Sequence, residues 1–288
     1  MAPSDTQGPF YRTLDGRASV GRKYRILYTS GNSTTISAVV LAGLAVTVFP
    51  ESTLRPGMRV LETACGTGIV TRRLVTRLAG HGRLVATDLN EPMLAYAAAK
   101  MPATERLEWR PADATKLPFD DRSFDAVVCQ FGLMFFPDKA AGVREAFRVL
   151  RPAGQFLVSV WDRIEDNPVP RITHETLAAF FPSDPPQFYT VPFSLHDPTV
   201  VRRLLEDAGF VDVQWERLER VGESPSAAEA VTGLIEGNPI YLAIMERRPS
   251  ALADIKAAVV RNLAAALGDH PLRCPLRTVY FSGKRPRT

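Results

Sequence analysis

The chain has little that could hold it together covalently or through a metal. Its 288 residues contain three cysteines, Cys65, Cys129 and Cys274. An odd number leaves one unpaired, and their spacing matches no metal-ligand pattern, so neither a disulfide scaffold nor a metal site is expected. Three such cysteines suit buried thiols in a reducing cytoplasm. Histidine is also scarce, with four in all: His81, His174, His196 and His270. There is no long hydrophobic run. The nearly uncharged stretch from Thr34 to Phe49 follows Arg22, Lys23 and Arg25 but is too short to span a bilayer. It lies too far in, without a small-residue cleavage site, to be a signal peptide. It reads as a buried helix preceding the first strand, and no stable membrane insertion is expected. Excess charge is small as well: 35 Lys and Arg against 31 Asp and Glu leave +4. The basic residues are scattered, which speaks against a nucleic-acid partner. Apolar residues make up 45% of the chain, enough for a substantial core. The length suits one large domain or one domain with a lid. No internal repeat is present.

What is there centres on Val60-Leu61-Glu62-Thr63-Ala64-Cys65-Gly66-Thr67-Gly68. Val60 and Leu61 end a short apolar run that reads as a buried strand. Gly66 and Gly68 then form a tight turn, and a helix starts around Thr71. Strand, glycine turn and helix bring bare backbone up to a nucleotide in doubly wound sheets. The dinucleotide pattern requires a third small residue, and Thr71 stands there instead. Glu62 at the mouth of the turn suits a ligand carrying an ammonium or sulfonium better than a pyrophosphate. A second strand, Arg83 to Asp88, ends in an acid about twenty residues past the glycines, where a ribose-binding carboxylate belongs. Leu89 follows, positioned to cover one face of an adenine, and Asn90-Glu91-Pro92 starts a helix. Asp113 and Ala114 follow a third strand, and a fourth, Ser123 to Gln130, ends in Gln130. A helix end, a Pro-Gly turn and a fifth strand occupy residues 148 to 161.

On these motifs, over about residues 55 to 165, the chain resembles the class I S-adenosylmethionine-dependent methyltransferases. Its likeness is to the branch of the quinone-biosynthesis C-methyltransferases and small-molecule methyltransferases. The resemblance implies a doubly wound, mostly parallel seven-stranded sheet with an antiparallel last strand. It implies S-adenosylmethionine as cofactor, with Glu62, Ala64, Gly66, Gly68, Asp88, Leu89, Asp113, Ala114 and Gln130 around it. Asp88 would hold the ribose and Asp113 the adenine amino group. Two rival readings stay open: an NAD(P)-binding oxidoreductase on a similar sheet, and a cofactor-binding protein without activity.

The rest of the chain supports the same layout. Residues 1–50 read as an N-terminal arm, with spaced aromatics Phe10, Tyr11, Tyr24 and Tyr28, followed by the Thr34–Phe49 helix. The catalytic domain would run over 51–288, with helical lid insertions at about 162–192 and 222–275. The first insertion is rich in proline and aromatics; the second contains an amphipathic helix from Pro249 to Leu267. Asp138 and Asp197 are placed to cap helices. Methyl transfer from a sulfonium is an in-line displacement that needs a base only for a protonated acceptor. His174 and His196 are the candidates for that base. Phe131, Phe135, Phe136, Phe180, Phe181, Phe188 and Tyr189 favour a small hydrophobic or aromatic acceptor. A monomer or homodimer is expected.

Overall fold

The computed structural model describes residues 54–78 and 80–288, together with the backbone of Arg12 and Thr13. The arm, the spaced aromatics and the Thr34–Phe49 helix expected within residues 1–50 lie outside the described residues. The described chain divides into two compact units. A sheet unit holds residues 54–162, 191–218 and 278–288, and a helical unit holds 163–190 and 219–277.

The strands in chain order are β1 (Arg12–Thr13), β2 (Arg59–Glu62), β3 (Arg83–Asp88), β4 (Leu107–Pro111), β5 (Phe124–Gln130), β6 (Leu150–Trp161), β7 (Val211–Ser224) and β8 (Leu272–Lys284). The helices are α1 (Ile69–Arg77), α2 (Glu91–Lys100), α3 (Lys139–Val149), α4 (Pro168–Phe180), α5 (Pro198–Asp207), α6 (Ala227–Glu236), α7 (Ile240–Arg247) and α8 (Leu252–Leu267). Seven strands build the sheet in the order β7-β8-β6-β5-β2-β3-β4. The dipeptide β1 pairs antiparallel with Gly222 and Glu223 of β7.

The four pairings among β6, β5, β2, β3 and β4 are all parallel. β8 lies antiparallel to β6, with Trp161 opposite Thr278 and Gln155 opposite Lys284. Parallel strands covered on both faces must be apolar throughout, and β2, β3 and β5 are buried almost along their whole length. Val60, Leu84, Ala86, Ala126, Val128 and Leu157 form the core there with Leu74 and Leu78 from the α1 segment and Leu94 of α2.

β2 has β5 on one side and β3 on the other, so the connections leaving β2 and β5 run in opposite directions along the sheet. That switch point is where an open α/β sheet leaves a crevice at its carboxyl ends. Local signals set the helices that follow. Asn90 caps α2 by accepting from the Met93 N–H at 3.1 Å. Asp138 caps α3 through Ala141 N–H at 2.8 Å, and Asp197 caps α5 through Thr199 N–H at 2.9 Å.

In the helical unit α8 packs against both α4 and α6. Asn262 Nδ2 donates to Thr176 Oγ1 at 2.8 Å, and Lys256 pairs with Glu236. Leu177, Val231, Leu234, Ile255, Val259 and Leu263 are fully buried. Pro168 and Pro170 begin α4, where a missing backbone N–H costs little. Buried Asn167 accepts from Arg277 N–H at 2.9 Å and donates to the carbonyls of Arg163 and Arg277.

The carboxyl end of α3 is closed by a residue distant in sequence. Arg285 Nη1 lies 2.7–2.9 Å from the carbonyl oxygens of Phe147, Arg148 and Leu150. Its guanidinium also sits 4.6 Å from the Phe147 ring centroid. Charge-assisted hydrogen bonds contribute about 1.5–3 kcal/mol each. Arg285→Met, which keeps the packing stem and loses the donors, should therefore destabilise the protein by at least about 1.5 kcal/mol. Chemical denaturation checks this, with the far-ultraviolet dichroism of the folded variant unchanged.

Candidate active site

The carboxyl ends of β2, β3 and β5 are tied together before any ligand is considered. Thr63 N–H donates to Val128 O at 2.9 Å, and Cys65 N–H to Thr87 O at 2.9 Å. Thr87 Oγ1 donates back to Glu62 O at 3.0 Å. The turn after β2 then climbs through three left-handed residues: Ala64 (φ 53), Gly66 (φ 56) and Gly68 (φ 77). A non-glycine residue with positive φ is strained, and such strain gathers at functional sites. The exit of β5 shows the same feature at Phe131 (φ 54). The two exits abut, since a Cβ on Gly132 would lie 2.5 Å from Ala64 Cβ.

The two turn glycines answer different demands. A Cβ on Gly68 would meet Trp109 Cη2 at 2.8 Å and Ala97 Cβ at 3.2 Å. Gly68 is thus required by the indole of Trp109, whose Nε1 donates to Met101 O at 2.9 Å. Around Gly66 a Cβ would meet nothing within 4 Å. That open cradle lets bare backbone approach a ligand.

Asp88 is buried, and both its oxygens are engaged. Oδ2 accepts Gly66 N–H at 2.8 Å and Oδ1 accepts Asn90 N–H at 2.8 Å. Burial nevertheless raises its carboxyl above the usual range, against the N–H groups of Asn90, Gly66 and Leu89. Leu89 is 69% exposed, an unusual position for a leucine beside a crevice. Ala112 N–H donates to Asp88 O at 3.0 Å, which brings the end of β4 alongside. There Asp113 is exposed, with Oδ1 taking the N–H and hydroxyl of Thr115, and Ala114 is half-buried. Gln130 is buried at the end of β5, opposite Ser159 of β6.

Glu62 is 2% exposed, and its Oε2 has no hydrogen-bond partner among the described residues. Burial pushes its carboxyl up to about 8; the hydroxyl and N–H of Thr71 oppose the shift and the charge of Asp88 adds to it. Thr71, the residue that departs from the dinucleotide pattern, is the helix residue facing this acid. Cys129 is pushed up to about 11 by burial, and burial raises Cys65 strongly as well, so both thiols stay neutral.

The two candidate bases lie in different units. His196 is exposed in the sheet unit, its Nδ1 2.8 Å from Phe193 O. His174 lies on α4 of the helical unit, with Nδ1 buried and without a hydrogen-bond partner among the described residues. Its ring meets the edge of Tyr189 at 6.1 Å between centroids. Two residues of the sheet unit carried no distinguishing sequence signal. Trp109 packs on the glycine turn, and Asp162 is buried at the end of β6, taking Arg217 Nε at 2.9 Å. Among the described residues no group of three or more His, Cys, Asp or Glu is arranged to hold a metal. No helix there is long and apolar enough to cross a membrane.

A switch-point crevice with a glycine turn, a ribose-height acid and a buried acid at its mouth defines a nucleoside-cofactor-binding α/β protein. A family model described as a methyltransferase domain matches residues 60–154. The ubiquinone/menaquinone biosynthesis C-methyltransferase UbiE of Idiomarina loihiensis is 30% identical over 183 residues, 58% of this chain and 72% of that protein. The demethylmenaquinone methyltransferase of Mycolicibacterium gilvum is 34% identical over 57% of this chain and 73% of its own length.

The Bacillus subtilis YcgJ protein shares the fold with a TM-score of 0.54 and 17% identity, over 83% of this chain and 96% of that one. Phosphoethanolamine N-methyltransferase 2 of Haemonchus contortus, solved with S-adenosyl-L-methionine, aligns with a TM-score of 0.51 and 18% identity over 81% of this chain and 50% of its own. The chain belongs to the class I S-adenosylmethionine-dependent methyltransferases, in the branch of the ubiquinone and menaquinone C-methyltransferases. Its cofactor is S-adenosylmethionine. The NAD(P) oxidoreductase reading finds no support in these likenesses, and neither does the binding protein without activity.

The crevice fits that cofactor. It offers an unpartnered buried carboxyl oxygen and an open glycine cradle at the exit of β2, and an exposed leucine at the exit of β3. Because Asp88 also holds the turn, Asp88→Asn is a milder probe than alanine. It should still weaken S-adenosylhomocysteine at least tenfold, through loss of charge-assisted hydrogen bonds. Gly66→Val should abolish binding, while Gly68→Ala should shift Trp109 fluorescence even without ligand. Calorimetric titration and emission spectra check all three; normal binding by Gly66→Val would remove the cradle from the site.

Proposed function

We propose that the chain transfers a methyl group to a ring carbon of a small hydroquinone-type acceptor. The observation that carries this reading is kinship to relatives named as quinone-biosynthesis C-methyltransferases. The aromatic segment 131–136 at the exit of β5 supports it. Not every ring in that segment is available to a ligand. Phe131 is buried and stacks on Trp161, with centroids 4.4 Å apart and planes at 11°. Phe136 packs on α3, where a Cβ on Gly142 would meet its ring at 2.4 Å. Phe135 remains, half-buried and engaged in no ring pair among the described residues.

In this reading Asp88 takes the ribose, and Leu89, Asp113 and Ala114 flank the adenine. Gly66 and Gly68, with Ala64 and Gln130 beside them, border the methionine part, and Glu62 faces its cationic end. When bound, the cofactor supplies the electrophilic methyl and its own leaving group. The protein's contribution is alignment and exclusion of water. An electron-rich ring carbon flanking a phenolic oxygen attacks in line and then loses its proton. His174 and His196 are the titratable candidates for taking a phenolic proton. The protein works in the cytoplasm as a monomer or homodimer without nucleic acid.

The test is incubation with labelled S-adenosylmethionine and chemically reduced 1,4-naphthoquinone. The expected product reoxidises to 2-methyl-1,4-naphthoquinone, seen by chromatography and mass spectrometry. A methyl ether that cannot reoxidise, or no transfer across a panel of quinols, would overturn the acceptor assignment. Phe135→Ala should raise the KM for the quinol at least about tenfold, since burying an aromatic ring contributes about 1.5–3 kcal/mol. The Kd for S-adenosylmethionine should stay put.

A further inference from the structure

We infer that Glu62 is a proton-exchanging cation site: neutral in the free protein, it releases its proton to solvent as the cationic end of S-adenosylmethionine docks against it. This rests on the reading of the glycine turn as the cofactor site.

Glu62 ends β2 with 2% exposure, and Oε2 has no partner among the described residues. A carboxylate out of water must be paired or neutralised. Among the described residues the groups that face it supply no cation. From β3 comes Asp88, a second acid. From the turn and from β5 come the thiols of Cys65 and Cys129, both held neutral by burial. From α1 comes Thr71, which offers a hydroxyl and an N–H. Glu62 joins no ion pair among the described residues. With its carboxyl pushed up to about 8, the free protein carries it protonated at neutral pH.

An arriving ammonium or sulfonium supplies the missing countercharge and favours the carboxylate. The bookkeeping is one proton per site: Glu62–COOH plus cation gives Glu62–COO⁻ beside the cation, with the proton passed to buffer. Linkage then fixes the sign. A proton released on binding makes affinity rise with pH, about tenfold per unit, up to the free protein's pKa. The site also discriminates by charge, since a neutral ligand leaves the carboxyl protonated and exchanges nothing.

Calorimetric titration of the full chain at pH 7, in phosphate and in Tris, measures protons released from the difference in apparent enthalpy. Three ligands are compared: S-adenosylmethionine, S-adenosylhomocysteine and 5′-methylthioadenosine, which lacks both cationic centres. The expected result is release of about one proton with S-adenosylmethionine and none with 5′-methylthioadenosine. Release with S-adenosylhomocysteine as well identifies the ammonium as the cation; its absence there identifies the sulfonium. Glu62→Gln, isosteric with the protonated acid, should bind without release. Its Kd should lack the tenfold-per-unit fall between pH 6 and 8. Subtracting its profile from that of wild type removes the titration of the cofactor's own amine.

Tight binding without proton release would overturn the inference while leaving the cofactor site standing. So would equal release by 5′-methylthioadenosine, or release that persists in Glu62→Gln, which would point to Asp88. If Glu62→Gln fails to fold, the 5′-methylthioadenosine comparison on wild type decides alone. No binding of S-adenosylmethionine at all would instead sink the cofactor assignment of this turn.

Discussion

Asp88 is the constraint on which the site depends. One carboxylate at the end of β3 holds Gly66 N–H in the turn after β2 and Asn90 N–H at the start of α2, each at 2.8 Å. Those bonds fix two segments to one strand end. They also fix the direction of the Gly66 backbone, which would otherwise wander in a turn where glycine allows many conformations. In the proposed cofactor site the same group also meets the ribose, so it could not be varied for either purpose alone. Removing it should loosen the turn and the cofactor together. The isosteric amide is the more discriminating substitution because it keeps one acceptor oxygen.

Two of the six left-handed non-glycine residues among the described residues flank the same place. Ala64 after β2 and Phe131 after β5 both adopt left-handed backbone without being glycine. Each such position costs of order 1–3 kcal/mol and persists only where its surroundings over-determine it. Here the surroundings are visible. Cys65 N–H and Phe131 N–H are held by the carbonyls of Thr87 and Ser159, each at 2.9 Å. Phe131 is further clamped by its stack on Trp161. The sheet's regular hydrogen bonding thus sustains irregular backbone at its carboxyl edge, where a ligand needs closely approaching amides rather than side chains.

Much of this was legible in the sequence, because it is written locally. β2, β3 and β5 are short apolar runs ending in Glu62, Asp88 and Gln130. Asn90, Asp138 and Asp197 are caps readable from their own neighbours. The antiparallel last strand follows the resemblance and is found beside β6. What was not legible depends on chain distant in sequence. Gly68 looked like a ligand-clearance glycine, yet its Cβ is excluded by Trp109, 41 residues on. Phe136 looked available to an acceptor but is spent on Gly142 of α3. β7 and β8 run for 14 and 13 residues, longer than any single apolar run along them would mark. Pairing partners set a strand's length, and a periodicity read along one segment does not contain them.

The buried acid at the mouth of the turn shows why composition and pattern stop short of chemistry. In sequence, Glu62 is a single acid beside two glycines, and its charge looks like an attraction for a cation. In the folded chain it shares a buried strand end with Asp88 and two thiols, with no ion-pair partner among the described residues. An ionised pair there would repel, so under the proposed proton exchange the site would meet its ligand as a neutral acid and acquire its charge only with the cation in place. Affinity for a cationic cofactor is then set by a difference of two large terms, desolvation and pairing, rather than by a standing negative potential. Under the proposal that difference would make binding sensitive to pH and strict about charge. It also explains how one carboxyl can be tolerated in a core otherwise built from Val60, Leu61, Ala126 and Val128.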